Sequence, residues 1–95
     1  MFSLPQKLLA EFIGTFTIVF VAAGSICADQ YFRAAGQASF GPLGYAFAYG
    51  LATAVMVGAL GHVSGAHLNP AVTIGFWVTK RSGTLPALFY CIAQL

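Results

Sequence analysis

Long apolar runs alternate with short polar breaks along this chain, and the breaks carry nearly all of its charge. Leu8–Ala28 forms the first run, interrupted near its start by one charged residue, Glu11. Asp29–Phe40 reads as a polar connector containing Arg33 and Gly36. Gly41–Gly61 follows, 21 residues without a charge, long enough to cross a bilayer at about 1.5 Å per residue. His62–Leu68 is a polar loop, Asn69–Thr79 a short apolar helix, and Lys80-Arg81-Ser82-Gly83 the next break. Leu85–Leu95 is a further apolar run, read as the start of a third spanning helix.

The short helix is the informative one. Asn69 before Pro70 is a helix start, because Asn suits the N-cap and Pro is pre-set for the first turn, where its missing N–H costs nothing. At 1.5 Å per residue Asn69–Thr79 covers only about 16 Å, roughly half the hydrocarbon thickness. A half-helix whose polar start lies at membrane depth must face protein or a water-filled cavity, since lipid cannot satisfy exposed backbone. That pattern is expected of a channel.

Composition agrees. Of 95 residues, 59% are hydrophobic and 6% charged, whereas soluble domains are about a quarter charged. A net charge of +2 without a basic stripe gives nothing to track phosphates, so nucleic acid is not an expected partner. Cys27 and Cys91 sit in apolar runs without C-x-x-C spacing and read as small buried hydrophobes rather than a disulfide or metal site. Met1–Ala28 has some features of a cleaved signal peptide, namely Lys7 and the small residues Ala22-Ala23-Gly24-Ser25. Glu11, the length of the run and the second span argue against that reading.

Basic residues orient the chain. Lys7 precedes the first span and Lys80–Arg81 follow the half-helix, while Arg33 alone lies in the first connector. Positive-inside counting therefore puts the N-terminus and the Lys80–Arg81 break in the cytoplasm and Asp29–Phe40 outside. The expected protein is a multi-pass protein of the plasma membrane, in contact with membrane lipid.

Within the second span, Ala46, Gly50, Ala54 and Gly58 recur every four residues, a smooth ridge where another helix can approach closely. Gly14 and Gly24 offer weaker contacts in the first span. Glu11 reads as a structural buried acid, because a carboxylate in a span seeks donors. The backbone N–H groups of the polar loop, and His67, are its candidate partners. His62 and His67 have no carboxylate or thiol near them in sequence to complete a metal site. No nucleophile elbow, paired carboxylates, phosphate loop or cofactor fingerprint is present, so neither an enzyme nor a cofactor is expected.

Ser64-Gly65-Ala66-His67-Leu68-Asn69-Pro70-Ala71-Val72-Thr73 resembles the first Asn-Pro-Ala loop of the aquaporin and glycerol-facilitator family. Ala10-Glu11-Phe12-Ile13-Gly14-Thr15 resembles that family's first-helix signature, and Ile92-Ala93-Gln94 the start of its third helix. The resemblance implies an all-α membrane protein of six tilted spanning helices and two half-helices, built from two inverted repeats whose half-helices meet at the membrane centre. Residues 1–95 are then the first repeat: two spanning helices, one re-entrant half-helix, and a third helix cut short. It also implies a homotetramer in the full-length protein.

For function the resemblance implies a channel for water or another small neutral solute. Asn69 as N-cap gives its side-chain oxygen to a backbone N–H, expected to be that of Val72, and aims its NH2 into the pore. Water there accepts but does not donate, which breaks a proton wire, and the half-helix N-terminus repels cations. Gly65, Ala66 and His67 present pore-lining carbonyls; Pro70, Ala71 and Val72 follow Asn69 at the central meeting point, Ala71 and Val72 as small apolar contacts. Tyr49 occupies the filter position that water-selective members usually fill with Phe and glycerol facilitators with Trp. Thr53, one turn on, stands where an aliphatic residue is common. Water is the first expectation for the solute, with a glycerol- or ammonia-type facilitator or a non-conducting membrane fragment as the alternatives.

Overall fold

The computed structural model describes residues 2–95, and all four regular elements in them are helices: α1 (Leu4–Ala34), α2 (Gly41–Ser64), α3 (Pro70–Val78) and α4 (Thr84–Gln94). α1 is central, packing against both α2 and α4, and α3 lies against α4. α1 and α2 have 31 and 24 residues and are each long and apolar enough to cross a membrane.

Local chemistry sets the helix ends. Ser3 caps α1 in a reciprocal box with Gln6, whose Oε1 accepts the Ser3 N–H at 2.8 Å. At the other end Gly36 takes φ +75°, and the N–H groups of Gly36 and Gln37 return to the carbonyls of Arg33 and Phe32, the paired bonds that close a helix on a left-handed glycine. Gly65 ends α2 in the same conformation, φ +85°.

The first connector is shorter than the charge pattern predicts. Asp29, expected outside the helix, lies within α1 and is fully buried. Its carboxylate accepts from the Phe40 N–H at 2.9 Å, from the Ser39 hydroxyl at 3.1 Å and from the Tyr45 hydroxyl, and it pairs with Arg33 at 3.5 Å. Asp29 and Arg33 are one turn apart, so their charges favour the helix rather than break it. The true connector is Ala35–Phe40, folded over that carboxylate. The polar loop is shortened in the same way, since His62 to Ser64 complete α2.

Burial is inverted relative to a soluble domain. The largest fully buried side chains are Glu11, Thr73 and Asp29, while Phe20 is 68% and Leu43 71% exposed. An apolar exterior around paired polar groups suits lipid as solvent. Cys27, read as a buried hydrophobe, is exposed on that exterior, and Cys91 is half-buried. Ile18 on α1 packs with Ala52 on α2 and Leu68 in the loop, flanked by Val21, Met56 and Ala66. α2 thus meets α1 through the Ala52–Met56 face, and the ridge Ala46–Gly50–Ala54–Gly58 lies on exposed surface.

Candidate functional site

The loop between α2 and α3 carries the site. Ala66 and Leu68 both hold left-handed backbone, φ +50° and +57°, a conformation that costs an L-residue on the order of 1–2 kcal/mol. What holds them there is Glu11. Its carboxylate is fully buried and accepts from the Ser64 hydroxyl at 2.6 Å, the His67 N–H at 3.2 Å, the Leu68 N–H at 2.8 Å and the Gln94 side-chain amide. Ser64 also accepts the Ala66 N–H at 3.1 Å. The loop's backbone donors therefore find protein partners, as membrane depth requires.

The His67 ring goes elsewhere than to Glu11. It stacks on Phe76 with centroids 4.5 Å apart and leans on Tyr90 at 5.0 Å. Its Nδ1 lies 2.9 Å from the Thr73 hydroxyl. Gln94 donates to that same oxygen at 3.0 Å, so Thr73 links the His67 ring to α4, with the direction of the His67–Thr73 bond set by the ring tautomer. Tyr90 fastens α4 to the loop by donating to the Ser64 carbonyl at 2.8 Å.

Thr73, Tyr90 and Gln94 were missed as parts of this network by sequence reasoning. The signal available was polarity: Thr73 sits alone in the apolar run of the half-helix, and Tyr90 and Gln94 are the two hydrogen-bonding side chains of the last apolar run.

Asn69 caps α3 in extended backbone, φ −160°. Its Oδ1 accepts from Ala71 N–H at 2.8 Å, not from Val72 as expected. Pro70 supplies no donor, and the extended Asn69 backbone sets Oδ1 over the next N–H along, that of Ala71. Asn69 is exposed, and its Nδ2 has no partner among the described residues. The carbonyls of Gly65, Ala66 and His67 likewise accept no hydrogen bond among the described residues.

Tyr49 and Thr53 lie one turn apart on α2. Tyr49 is 51% exposed, and the Thr53 hydroxyl is engaged by the Tyr49 carbonyl at 2.8 Å. Val72 is also exposed, beside Ala71 at the start of α3. The arrangement offers one amide donor at a helix N-terminus, a run of unengaged carbonyls leading to it, and apolar side chains beside them. Such a surface presents one hydrogen-bond donor and several acceptors side by side.

The family model described as major intrinsic protein matches residues 1–95. The chain is 41% identical over 90 residues to Aquaporin Z of Photorhabdus laumondii subsp. laumondii, covering 95% of this chain and 38% of that protein. It is 46% identical over 93 residues to Aquaporin NIP1-4 of Oryza sativa subsp. japonica, covering 98% and 32%. Aquaporin AqpM of Methanothermobacter marburgensis is 40% identical over 108 residues, covering 100% and 44%. The chain thus spans less than half the length of these relatives. A match over the whole chain, joined to a short capped helix and a buried carboxylate holding its loop, places this protein in the major intrinsic protein family.

Proposed function

We propose that this chain is the first repeat of a passive membrane channel that conducts water. The observation that carries the reading is Asn69: its Oδ1 is engaged by the Ala71 N–H at 2.8 Å, which leaves the amide NH2 to donate to a solute. Water at that point accepts from Asn69, and the positive end of α3 disfavours hydronium and other cations. The carbonyls of Gly65, Ala66 and His67 form the acceptor ladder that replaces lost hydration. Val72 and Thr53 contribute pore wall, Pro70 and Ala71 shape the meeting point, and Tyr49 acts as the filter residue. The function is transport, not chemistry.

The complete protein is proposed to pair this repeat with a second, inverted one and to assemble as a homotetramer. The exposed small-residue ridge on α2 is a surface on which a neighbouring helix fits. The plasma membrane is its proposed location, with the N-terminus cytoplasmic because Lys7, Lys80 and Arg81 share one side. Stopped-flow shrinkage of vesicles containing the full-length protein tests the function. Fast shrinkage under an impermeant osmolyte, with slow glycerol and ammonia uptake, supports water as the solute. Glycerol or ammonia flux above water flux supports the facilitator alternative, and no flux supports a non-conducting protein.

A further inference from the structure

A cavity of about 390 Å³ lies against the loop network, and Asn69 is not among its lining residues. Its walls come from three helices and both loop segments: Lys7 of α1, Ser64 and His67 of the loop network, Arg81 and Ser82 of the α3–α4 turn, and Tyr90 of α4. We propose that this cavity binds a phosphate group, either the headgroup of an anionic phospholipid or a free phosphate.

Charge is the first reason. The chain has two acidic residues. Asp29 is 22 positions along α1 from Lys7, roughly 33 Å away at the helix rise, and is already paired with Arg33. Glu11 lies one turn from Lys7, but both its oxygens accept from the loop and from Gln94. Among the described residues, the only ion pair is that of Arg33 with Asp29. Lys7 and Arg81 therefore face the cavity without a carboxylate of their own.

Donor geometry is the second reason. Guanidinium and ammonium groups match phosphate oxygens, with Arg able to bind two at once. Ser82 adds a hydroxyl whose only bond among the described residues is a long one, 3.4 Å to the Gly83 carbonyl. His67 adds its ring Nε2, which has no partner among the described residues and donates in the Nε2–H tautomer. A phosphate seated here would touch the far side of the same residue whose backbone N–H is held by Glu11, so occupancy braces the loop. The cavity does not include the Asn69 donor, but it shares His67 with the proposed pore wall and so lies beside the proposed channel.

The test uses delipidated full-length protein in a neutral detergent. Native mass spectrometry counts bound phosphatidylglycerol against phosphatidylcholine of the same acyl chains, and equilibrium dialysis measures inorganic phosphate. Arg81→Gln and Lys7→Gln, on different elements, are each expected to weaken binding about fivefold. Lys80→Gln removes an equal charge from a neighbouring residue outside the cavity and is expected to leave binding unchanged. Selective retention of phosphatidylglycerol assigns the lipid source, and saturable inorganic phosphate without lipid preference assigns the soluble one. No binding of either probe, or equal loss in Lys80→Gln and Arg81→Gln, overturns the proposal. Lys7→Gln reads the same cavity without touching the α3–α4 turn, so a folding defect in Arg81→Gln does not shelter it.

Discussion

Glu11 Oε1 accepts the Leu68 backbone N–H at 2.8 Å, joining the first helix to the left-handed residue just before Asn69. The bond fixes where the half-helix begins. A carboxylate suits this place because it accepts from several donors at once and gives none back.

Replacing Glu11→Gln puts an NH2 where an acceptor is needed, so it faces donors it cannot satisfy. Hydrogen bonds to charged groups contribute about 1.5–3 kcal/mol each, and at least one is lost outright. The full-length variant is expected to unfold at lower temperature in detergent and to pass less water. Wild-type melting by circular dichroism would show that the loop holds itself.

Gly14 approaches the loop from the same helix. A Cβ there would meet Leu68 Cδ2 and lie 3.1 Å from Leu60 Cδ1. Gly14→Ala is expected to be mild, because both neighbours are ends of flexible side chains. Gly14→Val is expected to cost about 1–3 kcal/mol through overpacking and to lower water flux by moving Leu68. Equal behaviour of the two variants in thermal unfolding and flux assays would argue against this contact.

Asn69→Asp keeps the cap oxygen and nearly the same volume but replaces the NH2 donor. The variant is expected to fold, to pass less water and to leak protons or sodium if it carries charge, since a carboxylate attracts the cations that the helix terminus repels. Asn69→Ala is expected to fold less well, losing a cap that contributes about 1 kcal/mol. Stopped-flow shrinkage with a pH-dye leak assay on the same vesicles checks both. Wild-type flux without a leak in Asn69→Asp means the amide does not face the pore.

Tyr49→Ala is expected to raise glycerol and urea permeation in the full-length protein more than water permeation, because it trims the proposed filter ring. Unchanged solute ratios would reassign Tyr49 to helix packing.

Orientation is checked in a background with Cys27→Ser and Cys91→Ser. An impermeant maleimide added outside is expected to label Gln37→Cys, in the exposed connector, and to spare Ser82→Cys. The reverse pattern would invert the topology.

The half-helix was legible because Asn-Pro is a local signal and a run of about eleven residues is too short to span a bilayer. The C-terminal end of α1 was not. Asp29 looked like a boundary, but its donors come from Ser39, Phe40 and Tyr45, which are 10 to 16 positions away. Ala66 and Leu68 gave no sign of left-handed backbone, since nothing in an Ala or a Leu favours it. That geometry is imposed by Glu11, more than fifty positions earlier. Local chemistry announced the cap, and long-range chemistry set the loop.

Gln94 reaches Glu11 across 83 positions, and this gives the loop a history as well as a shape. As the chain emerges from the ribosome, Glu11 enters the bilayer before any of its donors exist. Ser64, His67 and Leu68 arrive together and satisfy part of it. Thr73 acquires its Gln94 donor, and the Ser64 carbonyl its Tyr90 hydroxyl, only when α4 has been synthesised and docked. The loop that carries Asn69 therefore gains its full set of bonds only after a later helix has docked against it.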